Sequence, residues 1–313
     1  MIVLAGGKTG GHIMPLISIS KELEDVCYVG ASHSLEEELC KKHNIPFIGM
    51  NLKNNHLISV LRCALGLRLK KVDAILSTGG YVSFPTLLYG IFHHIPIYLL
   101  EENVIIGRTN RFFAKFAKKV FLAFPIPKMK KKYQVVGIPT LIHEVSSSKY
   151  AHFSYDVLIL GGSLGSKPLC ELVHILKKKY RVCLIASRYY EDYKDLKGVQ
   201  VFKYIEDLPS LMLHSKIIIS RAGAGTTYEI FSLGKPCILI PSQNTSQNHQ
   251  YLNALFFEEK GCCKLLKESD ASSSAMSIID FMMENKEVRD KMIKSQKNII
   301  IQDSSKRIIE EMR

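Results

Sequence analysis

The residue types with the clearest chemistry lie between Ile217 and Ala254, IIISRAGAGTTYEIFSLGKPCILIPSQNTSQNHQYLNA. Gly223, Ala224 and Gly225 form a turn that lets backbone approach a ligand closely. Thr226 and Thr227 are suited to opening a helix, with Glu229 in or near its first turn. Such a turn aims unpaired N–H groups outward, and a phosphate fits there. A carboxylate one turn further in can accept hydrogen bonds from ribose hydroxyls. The following loop, rich in Gln, Asn and Ser, ends in His249 and Gln250. Its amides offer donors and acceptors together, which suits sugar hydroxyls. Taken alone, the unit is equally an ordinary α/β segment in which Glu229 complements a helix dipole.

A second turn, GGKTGGH at 6–12, carries the hydroxyl of Thr9 and the imidazole of His12. It is not a P-loop, because that pattern needs a glycine where Ile2 stands, and the GxGxxG dinucleotide pattern is also absent. An imidazole with its ordinary pKa near 6.5 suits a general base; the alternative is a capping or structural histidine beside a turn. A third turn, TGGYVS at 78–83, and the acidic Glu101-Glu102-Asn103 each follow an apolar run. The eight cysteines form no CxxC pair, which argues against zinc and fits a reduced cytosolic compartment.

Short apolar runs position these turns. Ile2–Leu4, Val26–Gly30, Ile75–Ser77, Ile97–Leu100 and Val120–Ala123 alternate with helical segments, the rhythm of a doubly wound parallel sheet. Residues 139–155 shift to Pro, Ser, His and Lys and read as a linker. The theme then restarts with DVLILGGSLG at 156–165, followed by Val182–Ala186, Val199–Phe202 and Ile217–Ile219. Two Rossmann-like domains facing a central cleft are therefore expected, over 1–145 and 150–302. A last helix over about 303–313, capped by Asp303 or Ser304, would pack Ile308, Ile309 and Met312 back on the first.

With 313 residues and 47% hydrophobic content the chain can bury one large core or two moderate ones. It opens directly on a strand, which leaves no room for a signal peptide, and its longest apolar stretch, Pro85–Leu100, is broken by His93, His94 and Pro96. A soluble protein is expected. The formal charge of +13 points to nucleic acid, an anionic membrane or phosphorylated substrates. Nucleic acid is disfavoured, because no zinc finger, RNP-like motif or aromatic-interleaved basic patch is found. The stretch 54–71 places Leu57, Ile58, Leu61 and Leu65 at helical spacing before a cation cluster, and 108–132 adds nine Lys and Arg. These are either a core-facing helix with a solvated face or a membrane-surface patch.

The ordered set GGKTGGH, TGGYVSFP (78–85), EEN (101–103), TNRFFAKFAKKVFLAFP (109–125), VVGIP (135–139), GGSLGS (161–166), SRAGAGTTYE (220–229) and NHQYLNA (248–254) resembles the MurG family of peptidoglycan GlcNAc transferases. The likeness runs from residue 2 to about 260. It implies the GT-B fold and an inverting transfer of GlcNAc from UDP-GlcNAc to the C4 hydroxyl of undecaprenyl-pyrophosphoryl-MurNAc-pentapeptide. No cofactor or metal is implied, and the absence of any DxD pair fits that. The expected setting is peripheral, on the anionic cytoplasmic face of the bacterial plasma membrane. With such a lipid-linked acceptor, the membrane patch becomes the better account of 54–71 and 108–132. Other cell-wall synthesis proteins are further candidate partners.

Residue by residue, the resemblance gives Ile205 to uracil, Glu229 to ribose, and Ser163 with Ala224, Gly225, Thr226 and Thr227 to the diphosphate. It gives Gln250, with His249 beside it, to the sugar hydroxyls. In the first half it makes Thr9, Gly10, Gly11 and Asn103 binding positions and His12 the proposed general base. This chain departs from the family at Leu100 and Glu102, where His and Gln are frequent. It also departs at Thr140-Leu141, in place of a donor-site Arg, and at Leu164, in place of a Gln. Those changes bear on the diphosphate contacts and donor affinity. The alternatives are a related glycolipid glycosyltransferase or a non-catalytic UDP-sugar-binding protein.

Overall fold

The computed structural model describes residues 1–7, 9–52, 57–142, 153–162, 164–243 and 245–313, with Leu57 and Ser246 described by backbone alone. The chain divides into two compact units. One comprises Met1–Thr140 and Ile301–Arg313, the other Leu141–Ile300. Ser163 and most of the 139–155 linker lie outside the described residues.

The first unit runs β1 (Ile2–Ala5), α1 (Gly10–Ser20), β2 (Val26–Ala31), α2 (Leu35–Lys42), β3 (Phe47–Met50) and α3 (Leu57–Gly66). It continues β4 (Ala74–Ser77), α4 (Phe84–Phe92), β5 (Ile97–Glu101), α5 (Arg108–Phe113), β6 (Lys119–Leu122) and β7 (Tyr133–Val135). All its strands are parallel, in the order β3-β2-β1-β4-β5-β6-β7. Sandwiched strands need apolar residues on both faces, and Val3, Leu4, Ile75, Leu76, Leu99 and Leu100 are fully buried. Each such side chain contributes about 1.5–3 kcal/mol.

The second unit runs β8 (Tyr155–Leu160), α6 (Lys167–Leu176), β9 (Val182–Ile185), α7 (Tyr190–Tyr193), β10 (Val199–Phe202) and α8 (Leu208–Leu213). It continues β11 (Ser215–Ser220), α9 (Ala224–Ser232), β12 (Cys237–Leu239), α10 (His249–Glu259), β13 (Lys264–Leu265), α11 (Ala271–Glu284) and α12 (Lys286–Lys297). The sheet order is β10-β9-β8-β11-β12-β13, again parallel throughout. Its core gathers Val157, Ile159, Leu172, Val173, Ile217 and Ile219.

The last helix, α13 (Ser304–Met312), belongs to the first unit. Asp303, with φ +57°, turns the chain into it, and Ile308, Ile309 and Met312 are buried. Ser305 Oγ lies 3.4 Å from Ser18 Oγ on α1, and Glu311 pairs with Lys119 on β6.

In each sheet the strand order reverses at one point, between β1 and β4 and between β8 and β11. Open parallel sheets bind ligands at the carboxyl ends of such strands, because the connecting turns diverge there. Register makes this concrete: Ala5 is level with Ser77, and Leu160 with Ser220. All four glycine-rich turns of the sequence therefore emerge in pairs at these reversals.

Candidate active site

In the first unit, Gly6 and Thr78 leave neighbouring strands almost in contact. A Cβ on Gly6 would sit 2.1 Å from Thr78 Oγ1, so only glycine allows the approach. Thr78 Oγ1 donates to the carbonyl of His12 at 2.7 Å, which fixes the first turn of α1. Thr9 occupies the N-cap with extended backbone (φ −138°, ψ 151°), yet its hydroxyl makes no capping bond. The N–H groups of Gly10 and Gly11 come first in the helix, where no carbonyl precedes them to accept; that of His12 donates to Thr9 O at 3.1 Å. Thr9, Gly10 and Gly11 thus offer one hydroxyl and two amides beside the half-buried imidazole of His12.

Behind them, the two carboxylates that end β5 behave differently. Glu101 accepts from Asn103 N and Nδ2 (3.1 Å each), Gly107 N (2.8 Å) and Asn110 Nδ2 (2.9 Å). Four donors make it a structural acceptor that orients Asn103. Glu102, 3% exposed, holds Oε1 4.0 Å from Nδ1 of His12. Burial, and then the adjacent Glu101 charge, push its carboxyl well above the usual range. Asn110 also reaches the carbonyls of Thr78 and Leu100, at 3.4 and 3.2 Å. It ties the third turn, β5 and α5 together. Sequence alone gives it no role, although a buried-side Asn next to Phe112 and Phe113 in a short cationic helix is a usable signal.

In the second unit, Gly223 is the N-cap of α9, and the helix opens at Ala224 instead of at the threonines. Glycine tolerates that extended cap conformation, so the helix begins earlier and Glu229 falls in its second turn. Ala224, Gly225 and Thr226 are the positions whose N–H groups face out of the helix start. Thr227 is different: its amide donates to Gly223 O at 3.0 Å, and its buried Oγ1 has no hydrogen-bond partner. The outward-facing amides of this helix start therefore belong to the three residues before it. Glu229 is half-buried, and burial pushes its carboxyl up to about 7.

Arg221 binds the paired turns together. It donates to Ser166 Oγ at 2.6 Å and to Ile240 O at 3.1 Å, and it pairs with Glu268. Ser166 in turn caps α6. With its hydrogen-bonding directions committed this way, Arg221 serves the frame. The loop before α10 places Gln247 (φ +55°) and Asn248 (φ +54°) consecutively in the left-handed region, a strained arrangement of the kind that collects at binding loops. It sets His249 at the start of α10. Gln250 Oε1 accepts from Ser242 N at 2.9 Å, which leaves its Nε2 to donate. Buried Asn253 donates to Ala222 O at 3.2 Å and ties α10 to the α9 turn. Neither Arg221 nor Asn253 was singled out from sequence. Ile205 is buried in the loop after β10. Leu164 is 67% exposed and, unlike a Gln, has no amide to offer; Thr140, whose carbonyl accepts from Ser18 Oγ, carries no cation in place of the Arg.

Among the described residues no three His, Cys, Asp or Glu side chains gather as a metal site, and no helix is long and apolar enough to cross a membrane.

Family comparison places the glycosyltransferase family 28 N-terminal domain over residues 2–122 and the C-terminal domain of the same family over 156–311. The chain is 30% identical to the UDP-N-acetylglucosamine–N-acetylmuramyl-(pentapeptide) pyrophosphoryl-undecaprenol N-acetylglucosamine transferase of Lacticaseibacillus casei, over 98% of this chain and 96% of that one. It is 28% identical to the protein of the same name from Pediococcus pentosaceus, with 95% and 94% covered. Among solved structures, MurG of Acinetobacter baumannii superposes with a TM-score of 0.82 at 24% identity, covering 99% of this chain and 98% of that one.

Proposed function

Since the chain belongs to glycosyltransferase family 28, within which it is similar to MurG transferases over nearly its full length, we infer that it moves N-acetylglucosamine from UDP-GlcNAc to the C4 hydroxyl of undecaprenyl-pyrophosphoryl-MurNAc-pentapeptide. The observation that carries this reading is the 30% identity to a transferase named for that reaction, over 98% of the chain. The geometry agrees, because each unit holds a phosphate-ready helix start at the reversal point of its sheet.

In this reading the second unit takes the donor. Backbone at Ile205 reads uracil, Glu229 accepts from the ribose, and Gln250 with His249 reads the sugar. The amides of Ala224, Gly225 and Thr226, with Ser163, face the diphosphate. Negative charge grows on the leaving UDP as the C1–O bond breaks, and a helix N-terminus stabilises it. In the first unit Thr9, Gly10, Gly11 and Asn103 bind the acceptor. His12 takes the C4 hydroxyl proton as that oxygen bonds to C1 from the opposite face, so the configuration inverts.

A donor screen tests the reaction. Purified protein given undecaprenyl-linked MurNAc-peptide should turn over with UDP-GlcNAc and far more slowly with UDP-GalNAc or UDP-glucose. Binding of UDP-GlcNAc with no turnover would identify a non-catalytic binding protein instead.

The setting at a membrane surface is part of the same proposal. On α3, Ile58, Leu61 and Leu65 point outward at 65%, 38% and 67% exposure, while Val60, Ala64 and nearby Leu67 face the core. Those three side chains do not pack into the core, which supports the membrane-surface reading of the stripe; the side chain of Leu57 lies outside the described residues. Phe112, Phe116 and Met129 are also exposed, and Phe112 stacks on Phe84 of α4. Lys115 Nζ lies 5.0 and 4.9 Å from the rings of Phe112 and Phe116. Apolar side chains ringed by cations suit the boundary of an anionic bilayer. The protein should co-sediment with anionic vesicles, less so with neutral ones and less at high salt, and Ile58→Glu/Leu65→Glu should abolish most of it. Binding indifferent to lipid charge and salt would count against the patch.

A further inference from the structure

Glu102 is a buried carboxyl whose Oε1 finds no hydrogen-bond partner among the described residues, a costly arrangement if nothing uses it. It lies against the first turn of α1: a Cβ on Gly11 would sit 3.7 Å from its Oε2, and Nδ1 of His12 is 4.0 Å from its Oε1. We propose that Glu102 is a positioning residue for His12, accepting its Nδ1–H and leaving Nε2 to receive the acceptor's proton. This rests on the reading of His12 as the base.

Placement supplies the reason. His12 stands in the first turn of α1, where the positive end of the helix disfavours an imidazolium and weakens a histidine base. Burial and Glu101 favour the neutral form of Glu102, whereas an imidazolium 4.0 Å away favours its carboxylate, so the pair ionises together and the carboxylate offsets that effect. It fixes the tautomer and stabilises the charge that forms when the C4 proton arrives on Nε2. The slightly long separation is typical of catalytic pairs without substrate, which tighten on binding. The other titratable groups near the pair, among the described residues, are committed elsewhere. Glu101 is held by four donors, Tyr28 donates its hydroxyl to Gly6 O at 2.8 Å, and Glu36 accepts from Ala31 N at 3.3 Å. Glu102 is the one acidic side chain among them directed at the imidazole.

The test is Glu102→Gln, which keeps shape and removes charge, followed by NMR titration of the His12 imidazole in the full-length protein and by the pH profile of kcat. A nearby carboxylate favours the protonated imidazole, so its removal should lower the His12 pKa by about one unit and cut kcat about tenfold. The acidic limb of the profile should move down with it, and Glu102→Asp should restore part of the shift. A His12 pKa that is unchanged or raised in Glu102→Gln overturns the pairing. A shifted imidazole with an unshifted limb supports the pairing and removes His12 as the base, so the two ideas fail separately.

Discussion

His12→Ala should lower kcat by about 10²–10⁴-fold while UDP-GlcNAc affinity changes little, because a general base acts only as the acceptor hydroxyl loses its proton. The distribution of residues makes the split sharp. His12 belongs to the unit formed by Met1–Thr140 and Ile301–Arg313, whereas Glu229, Gln250 and the α9 turn belong to Leu141–Ile300. The substitution should leave the fold intact, since the helix start is held by the His12 carbonyl to Thr78, a backbone contact that alanine keeps. The pH profile of the residual activity should also lose its acidic limb. Normal turnover, or lost donor binding in place of lost rate, would show His12 to be structural. The base would then pass to Glu102, because Glu101 is already occupied by four donors.

Glu229→Ala should weaken UDP-GlcNAc binding by about 1–3 kcal/mol, the scale of a charge-assisted hydrogen bond to a hydroxyl. Folding should not suffer, because the carboxyl is raised by burial and, among the described residues, has no ion-pair partner left stranded by its removal. The same burial gives this prediction a pH signature. With its carboxyl near 7 in the free protein, Glu229 is largely protonated at pH 6, yet two ribose hydroxyls donate best to the ionised form. Affinity should therefore fall as pH drops below 7, by up to about tenfold per unit, and level off above it. UDP-GlcNAc is the right probe, since its doubly esterified diphosphate keeps its charge across that range. Glu229→Gln should bind more weakly and flatten the curve. Calorimetry showing wild-type affinity in Glu229→Ala, or no pH dependence in the wild type, would place the nucleotide elsewhere.

Much of the architecture was legible because parallel strands buried on both faces write themselves as short apolar runs. Val26–Gly30, Ile75–Ser77 and Val199–Phe202 are each strands, within a residue of the expected bounds. The edge strands β3 and β7 were not legible, since Phe47–Met50 and Tyr133–Val135 are only partly buried and carry mixed composition. The turns announced themselves through glycine, which sterics demand where two strands deliver backbone to one point. The exact start of α9 did not, because a glycine cap and a threonine cap are close in energy and only the packed turn chooses between them.

Sequence by itself determined which residue types are at hand: glycine turns suited to anions, one imidazole beside the first, one carboxylate beyond the last, and amides suited to hydroxyls. Those are properties of residue types and short spacings, and they survive without coordinates. Tertiary structure decided which of two adjacent carboxyls is spent and which is poised. Glu101 and Glu102 are indistinguishable as neighbours in a chain. Successive side chains at the end of a strand point to opposite faces, so one meets Asn110 and two backbone amides and the other meets His12. Structure likewise turned the stripe of Ile58, Leu61 and Leu65 outward, since helical periodicity fixes that a face is apolar but not which neighbour that face will find.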